Sequence, residues 1–238
     1  MTIQIEPVEV QSLKDACITR LEGLILSGEI KIGQRLPPER DLAEMLNVSR
    51  PVVHESLVEM EARGLVNIAP RKGVFVNDFR TFGSVALLES LLAFQNGQID
   101  TGFREDLCEF RLLLECETAL QAARHSSAEQ LASLEEILRA EQETLPGEVK
   151  ALTELDFKFH HGVALASGNM VYPLIISSFK SVYTHLTGLF FSHNPPEIHR
   201  RVFQFHTDLI SAIRCRDETS AAACMNAMLI HGAQNLPH

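Results

Sequence analysis

Apolar side chains recur at a helical period over residues 10–27, and Gly28 follows at the point where such a helix would end. The stretch over residues 32–38 cannot be helical, because it contains two consecutive prolines, and a proline lacks the amide hydrogen and restricts the residue before it. Pro38 is nevertheless acceptable in the first turn of a following helix. The pattern therefore predicts a second, short helix over about 38–46.

A third helix follows so closely that the pair predicts a helix-turn-helix. Asn47 suits the left-handed residue that ends one helix, and Ser49 suits the N-cap of the next. Beyond this cap the apolar positions Val53, Leu57 and Met60 share one helical face. Two helices joined by such a tight turn form a helix-turn-helix.

The residues after Gly64 change from a helical to a strand pattern. Residues 65–68 are rich in strand-forming side chains, residues 69–73 contain the turn formers Pro70 and Gly73, and residues 74–76 are apolar again. This order of strand, turn and strand predicts a β-hairpin wing beside the helix-turn-helix.

From residue 84 onward the pattern is helical almost without interruption and predicts six or seven helices. Breaks are predicted at turn-forming residues, near Asn96-Gly97, Ser126-Ser127, Pro146-Gly147, Gly168-Asn169, Asn194-Pro195-Pro196 and Asp217. Residues 77–83 form the predicted linker. The sequence thus predicts a mostly α protein, with a winged helix-turn-helix domain over residues 1–76 and an all-α helical bundle over residues 84–238.

Composition argues for a protein of the cytoplasm. Apolar residues make up 45% of the chain, but no uninterrupted apolar run approaches the 18 residues of a membrane span. The first ten residues carry acidic side chains where a signal peptide would carry basic ones. The five cysteines are odd in number and scattered, so they are interpreted as buried thiols and not as a disulfide framework.

The charge distribution limits where nucleic acid could bind. The formal net charge is −10, which argues against a protein that binds DNA over its whole surface. Residues 1–80 carry ten Lys and Arg against twelve Asp and Glu, whereas residues 81–238 carry eleven against nineteen. Because the second part would repel phosphate, the first part is the only credible DNA-binding face, and the contact must be local.

Within the first part, the start of the third helix and the tip of the wing are the predicted contact points. A helix N-terminus offers free backbone N–H groups to phosphate, and an arginine in its first turn can pair with phosphate or with guanine. Candidate contacts on the helix are Ser49, Arg50, Pro51 and His54. At the wing tip, Arg71 and Lys72 can reach a minor-groove phosphate, and Gly73 permits close backbone approach.

These residues resemble the winged helix of the GntR family over about 55 positions. The resemblance is carried by Ser27-Gly28-Glu29, Lys31, Gly33, Leu36-Pro37, Glu39-Arg40, Leu42-Ala43, Val48-Ser49-Arg50, Leu57, Gly64-Leu65, Gly73 and Val76. The second part resembles the FadR-type effector domain, called FCD. That resemblance is carried by Arg111, Glu115, Asp156-Phe157-Lys158-Phe159-His160, Ser167-Gly168-Asn169, His206, Ala212, Asp217 and the final apolar helix.

The resemblance implies a homodimer whose paired winged helices bind a short palindromic DNA operator, usually to repress transcription. It also implies that occupancy of the helical bundle by a small carboxylate or related metabolite changes DNA affinity, often beside a bound metal ion. Arg40 resembles the family's phosphate or base contact at the second helix, and Arg35, which is close to it in sequence, is a further candidate contact. Position 54 is usually Arg in the family and is His54 here. Because a neutral imidazole cannot make the bidentate guanine contact, the base preference does not transfer.

Asp156 and His160 lie four residues apart on a predicted helix, so both project from one face and can share a metal ion. The resemblance adds His206. It places the last ligand where this chain has Met228, and His231 follows three residues later, about 4.5 Å further along a helix. A carboxylate with imidazoles suits zinc or another divalent first-row ion.

Arg111 resembles the family position that meets the effector carboxylate, and an arginine fork matches that geometry. A structural ion pair with Glu115 is the alternative interpretation. Asn169 is carried over as a second effector contact.

Two rival functions remain open from the sequence. A metal-dependent enzyme could use the same ligands to activate water, but the chain contains no HExxH, no GxSxG and no glycine-rich phosphate loop. A dimeric DNA-binding scaffold without an effector would use the same polar residues only for structure. Saturable binding of a small molecule separates the scaffold from a sensor, and turnover separates the enzyme from both.

Overall fold

The computed structural model describes residues 12–88, 101–145 and 147–237, and the chain divides into two compact units, residues 1–98 and 99–238. The predicted break near Asn96-Gly97, residues 10 and 11 of the predicted first helix, and Pro146 lie outside the described residues. Among the described helices, none combines the length and apolarity that a membrane span requires.

The elements assigned over the described residues of the first unit are three helices, a hairpin and one further helical turn. They are α1 (Leu13–Leu26), α2 (Glu39–Leu46), α3 (Arg50–Ala62), β1 (Val66–Ala69), β2 (Gly73–Val76) and α4 (Phe79–Phe82). The side chain of Ser12 caps the start of α1, and Asn47 ends α2 in the left-handed region at φ 52°. The buried faces of α1 and α3 pack on one another through Leu21, Leu57 and Met60. The predicted winged helix-turn-helix is confirmed.

The wing has a third backbone partner that the sequence pattern did not predict. β1 and β2 pair antiparallel, with Val66 opposite Val76. On the other edge of β2, the amide of Gly33 donates to the carbonyl of Val76 at 2.8 Å, and the amide of Leu36 donates to Val74 at 2.8 Å. The proline-rich stretch before α2 is therefore an edge segment of the wing sheet, which fixes the wing to the helices.

Part of the predicted linker packs against the end of α3 in the first unit. Residues 79–82 form α4, and the amide of Ser84 donates to the carbonyl of Arg63 at 3.0 Å. A Cβ atom on Gly64 would lie 1.9 Å from the carbonyl oxygen of Phe82, so this contact requires glycine. The domain boundaries at 76 and 84 stay predictions.

The second unit is all α over its described residues. Its seven described helices are α5 (Thr101–His125), α6 (Ala128–Glu143), α7 (Val149–Ala166), α8 (Val171–Ser178), α9 (Lys180–His193), α10 (Pro196–Arg214) and α11 (Glu218–Gln234). The fold class is confirmed, and the predicted breaks within the described residues are present. The chain also breaks at Phe179, where no Gly or Pro marks the sequence and the ring stacks on Phe110 at 5.0 Å.

The core of the second unit contains charged and polar side chains among its apolar ones. Phe159, Leu209 and Met225 are fully buried between the helices. Acidic and imidazole side chains are buried in the same unit, among them Glu115, Glu141, Asp156, His160 and His206. Charged groups are rarely buried unless they are paired or bind a metal, so this cluster marks a candidate functional site.

Candidate functional site

The exposed face of α3 is the predicted DNA-reading face. Arg50 and His54 are one helical turn apart and exposed, while Val53 and Leu57 face the core. Arg50 has no ion-pair partner among the described residues, so its guanidinium is available to a ligand. Pro51 is also exposed in the first turn.

Two further side chains at this end are held by neighbouring carboxylates. His54 Nδ1 lies 2.9 Å from Oε1 of Glu39, across the two helices of the helix-turn-helix. The Nε of Arg40 donates to Oδ1 of Asp41 at 3.2 Å, and the side chain of Arg40 remains 73% exposed. Such an exposed ion pair contributes at most about 1 kcal/mol, so it leaves Arg40 free to exchange Asp41 for a phosphate.

Ser49 occupies the N-cap of α3 with an extended backbone, at φ −74° and ψ 152°, as predicted. Its hydroxyl, however, makes no capping hydrogen bond. It is exposed, so the hydroxyl and the backbone at the start of α3 face outward.

The wing tip presents Arg71 and Lys72, both exposed and without an ion-pair partner among the described residues. Arg71 holds the left-handed conformation at φ 62°, which costs a non-glycine residue roughly 1 kcal/mol or more. Gly73 has φ 110°, and a Cβ atom there would lie 2.6 Å from Nε of Arg35. Gly73 therefore has a structural role that the sequence did not reveal, since its missing side chain makes room for the guanidinium of Arg35 next to the wing tip.

In the second unit, Asp156, His160 and His206 converge in the buried core. One ligand atom from each lies within 4.8 Å of those of the other two, in a search confined to the described residues. Asp156 and His160 project from one face of α7, as their spacing predicted, and His206 comes from α10. The imidazole of His206 stacks on Phe159 with ring centroids 3.8 Å apart, which fixes the plane of the ring.

Each of the two histidines is held at Nδ1 by a buried glutamate. His160 Nδ1 pairs closely with Oε2 of Glu115 from α5, and His206 Nδ1 lies 2.7 Å from Oε2 of Glu141 from α6. With Nδ1 of His206 held in this way, its Nε2 faces Oδ1 of Asp156. Metal-binding histidines commonly have such a second carboxylate, which sets the tautomer and the ring orientation.

The remaining polar atoms show how well these side chains suit a metal ion. Nε2 of His206 is buried without a hydrogen-bond partner in the described part of the chain, and it lies 3.7 Å from Oδ1 of Asp156. The other oxygen of Asp156 accepts a hydrogen bond from the hydroxyl of Tyr183 at 3.0 Å. Two ligands at about 2.1 Å from a tetrahedral ion lie roughly 3.4 Å apart, so the observed separation fits one ion between them.

The electrostatics of this cluster favour the ionised forms of Glu115 and His206 and the neutral form of Tyr183. Burial opposes ionisation of Glu115, but Arg111 and His160 outweigh it and lower the pKa of Glu115 to about 2. Burial would likewise lower the pKa of His206, but the carboxylate of Glu141, aided by Asp156, outweighs it and raises that pKa. Burial, with Asp156, raises the pKa of Tyr183 well above its usual value, so its hydroxyl stays a donor.

Arg111 joins the cluster to a cavity. Its Nε donates to Oε1 of Glu115 at 2.6 Å, and its guanidinium lies 4.1 Å from the centroid of the Tyr183 ring. No hydrogen bond from its two terminal nitrogens is found among the described residues, and 22% of the side chain is exposed. Arg111 can therefore form the structural ion pair with Glu115 and also bind a ligand, because Glu115 accepts a hydrogen bond from Nε alone.

The cavity beside the cluster has a volume of about 50 Å³ and is lined by Arg111, Asp156, His160, Tyr183, Thr187, Phe190, Val202, Met228, Leu229 and Gly232. A neighbouring cavity of about 60 Å³ shares Arg111 and Thr187 with it. The lining combines the guanidinium of Arg111 and the hydrogen-bonding groups of Tyr183 and Thr187 with apolar side chains, and this combination suits a small organic anion.

Comparison with known proteins places both units in one family. Residues 13–76 match the model of the bacterial regulatory proteins of the gntR family, and residues 106–231, more than half of the chain, match that of the FCD domain. The chain belongs to the GntR family and carries an FCD domain. The family and the relatives named below are transcriptional regulators and not enzymes, so the enzyme interpretation is set aside.

Relatives of this GntR regulator include the HTH-type transcriptional regulator Mce2R of Mycobacterium tuberculosis, 34% identical over 75% of this chain and 73% of that protein. The fatty acid metabolism regulator protein of Yersinia pestis is 29% identical over 74% of this chain and 71% of that protein. Among solved structures, the Streptococcus agalactiae GntR protein has a TM-score of 0.51 at 26% identity, covering 93% of this chain and 99% of that one. Listeria monocytogenes Lar has a TM-score of 0.65 at 15% identity, covering 96% of this chain and 98% of that one, and shows the shared fold.

In this FCD domain the structure brings Met228, and not His231, to the cavity. His231 lies one turn further along α11, between the rings of Phe190 and Phe205 at centroid distances of 6.1 and 5.6 Å. Within the described residues it is not part of the metal-ligand group. The suggestion that His231 replaces the family's last histidine is not supported by this geometry, because the side chain faces an aromatic pocket.

Asn169 also lies apart from the cavity lining. It is exposed in the turn between α7 and α8, where its side-chain oxygen accepts a hydrogen bond from the amide of Val171 at 2.8 Å. The structure thus assigns Asn169 a local capping contact at the start of α8. Glu141, by contrast, is not among the sequence-based candidates, because nothing in the sequence of its helix indicates that it is buried.

Proposed function

We propose that this GntR regulator is a homodimeric repressor whose FCD domain binds a small carboxylate beside a divalent metal ion, and that this binding changes its affinity for a palindromic operator. DNA contact is assigned to residues of the first unit that are exposed, apart from the half-buried Gly73, namely Arg35, Arg40, Ser49, Arg50, Pro51, His54, Arg71, Lys72 and Gly73. These residues lie in the segment that pairs with β2, at the start of α2, at the start and on the exposed face of α3, and on the wing.

The observation that carries the sensor assignment is the convergence of Asp156, His160 and His206, with both histidines held at Nδ1 by buried glutamates. The unpartnered Nε2 of His206 would be costly to bury unless a ligand is present at times. Two nitrogens and one carboxylate oxygen suit zinc or another first-row divalent ion. When bound, such an ion supplies a Lewis acid with coordination positions left for an effector oxygen.

The shape and charge of the cavity limit the effector. About 50 Å³ accommodates a metal ion with a ligand of a few heavy atoms, and the neighbouring 60 Å³ lets a longer acid extend past Arg111. The terminal nitrogens of Arg111 match a carboxylate, since the guanidinium fork presents parallel N–H groups. The apolar side chains Leu229 and Phe190 would contact the rest of the molecule.

The experiment is a thermal melt of the purified full chain against a panel of small organic acids, each with added zinc and with a chelator. A ligand at 100 times its dissociation constant adds about 2.7 kcal/mol of stability, which corresponds to roughly 5–10 °C for a domain of this size. His160→Ala is the test variant. His161→Ala is the matched control, because His161 is the next residue and contacts Ser177 instead of the cluster.

We expect one acid class to raise the melting temperature only when metal is present, in the wild type and in His161→Ala but not in His160→Ala. A shift that survives both chelation and His160→Ala would contradict the metal site while keeping a sensor. The absence of any shift with every acid and metal would contradict the carboxylate sensor and favour the effector-free DNA-binding scaffold.

A further inference from the structure

We propose that Glu39 fixes the tautomer of His54, so that His54 Nε2 accepts a hydrogen bond and selects a base whose major-groove edge carries an amino group. The inference rests on the proposed role of α3 in reading DNA. It adds a specificity-determining residue, His54, and a positioning residue on another helix, Glu39.

The geometry places the two side chains in a defined relationship. Oε1 of Glu39, in the first turn of α2, lies 2.9 Å from Nδ1 of His54 on α3. The side chain of His54 is 58% exposed, and its Nε2 has no hydrogen-bond partner among the described residues. Because Nε2 lies across the ring from Nδ1, fixing one nitrogen against α2 leaves the other facing outward.

The position of His54 on α3 indicates that its Nε2 contacts a base edge and not a phosphate. His54 lies one turn beyond Arg50 on the same exposed face, while the start of α3 is the end that meets phosphate. In helix-turn-helix proteins the side chains near the beginning of the second helix reach base edges in the major groove. Arg50 therefore has the geometry for phosphate or guanine, and His54 for the neighbouring base pair.

The chemistry follows from which nitrogen carries the proton. An ionised carboxylate can only accept, so it selects the ring form in which Nδ1–H donates to Glu39. In that neutral form Nε2 carries a lone pair and can only accept. In the major groove, adenine N6 and cytosine N4 are the donors, whereas guanine presents acceptors at N7 and O6. His54 in this state should favour adenine or cytosine and disfavour guanine at the contacted position.

The test is selection from randomised double-stranded DNA by the full-length protein at pH 8, followed by sequencing. The wild type is compared with His54→Ala, Glu39→Gln and Glu44→Gln. Glu44→Gln is the matched control, since it makes the same chemical change on the same helix at an exposed residue with no contact to His54. Circular dichroism confirms that each variant is folded.

The wild type should enrich a motif with adenine or cytosine at one position of each half-site, by about three- to tenfold, the size of one hydrogen bond. His54→Ala should lose the preference at that position alone. Glu39→Gln should weaken or reverse it, because an amide can also donate to Nδ1 and so permits the opposite tautomer. Glu44→Gln should enrich the same motif as the wild type.

Three results would overturn the inference. These are a guanine at the position that His54→Ala affects, a motif unchanged by His54→Ala, and a Glu39→Gln motif identical to that of Glu44→Gln. If no variant enriches any motif, the proposed DNA-reading role of α3 fails instead, and the inference fails with it. If the motif changes in His54→Ala but not in Glu39→Gln, the DNA-reading role of α3 is retained and the positioning role of Glu39 is refuted. This result therefore distinguishes failure of the inference from failure of the proposed function.

Discussion

Replacing Glu141 should destabilise the second unit through His206. The Glu141 side chain is buried and lies 2.7 Å from Nδ1 of a fully buried imidazole. Glu141→Gln keeps the shape but exchanges a charge-assisted hydrogen bond for a neutral one, which costs about 1 kcal/mol. Glu141→Ala leaves the buried ring nitrogen without a partner, for which about 3–5 kcal/mol is expected.

Thermal melting of the chelated protein measures both effects. For domains of this size, 1 kcal/mol corresponds to roughly 2–4 °C, so Glu141→Gln should lower the melting temperature by roughly 2–4 °C and Glu141→Ala by roughly 6–20 °C. Glu143→Gln is the control, because Glu143 is exposed on the same helix. A surface change of that kind should move the melting temperature by about 2 °C at most.

The dependence on pH separates the charge of Glu141 from its packing. The pKa of His206 is raised above 6.5, because Glu141 and Asp156 together outweigh the burial that would lower it. A group with a raised folded pKa contributes stability that is fully present below its unfolded pKa and is lost as the pH rises through the folded pKa. The deficit of Glu141→Gln should therefore be larger at pH 6 than at pH 9. An equal deficit at both pH values, or a variant that melts like Glu143→Gln, would refute this account of His206.

Glu115→Ala is expected to lower the free energy of unfolding by about 3–5 kcal/mol in urea denaturation, because it leaves Arg111 and His160 without their shared carboxylate. A loss under about 1 kcal/mol would show that water replaces Glu115. Gly73→Ala and Gly33→Ala should each cost about 1–3 kcal/mol, since both glycines have positive φ, at 110° and 79°. Only Gly73→Ala should also weaken operator binding, because only there would the new Cβ displace Arg35. Equal DNA affinity of the two variants would exclude Arg35 as a contact.

The features that the sequence predicted are those that depend on local spacing. Asn47 and Ser49 mark the turn between two helices, because left-handed backbone and N-cap positions each favour a few residue types. The four-residue spacing of Asp156 and His160 likewise fixes a shared helical face, and the structure brings both to one cluster.

The features that sequence reasoning missed depend on contacts between distant elements. Glu141 is 65 residues from His206, and nothing in its helix distinguishes it from the exposed Glu143. The pairing of residues 33–36 with β2 is equally non-local. The helix break at Phe179 contains no helix-breaking residue, and the Phe179 ring stacks on Phe110, which is 69 residues away in the chain. No local pattern encodes such contacts.

The same physical device recurs at four places in the two units. Glu115 holds Nε of Arg111 and Nδ1 of His160, Glu141 holds Nδ1 of His206, and Glu39 holds Nδ1 of His54. In each case a carboxylate binds one nitrogen of a side chain that has a further nitrogen available to a ligand. The ligand-facing nitrogen therefore has a fixed direction, and in an imidazole the tautomer is fixed as well. Losing such a glutamate should therefore change which ligand is preferred as well as how stable the protein is. A purely structural ion pair would change stability alone, because its nitrogens face no ligand.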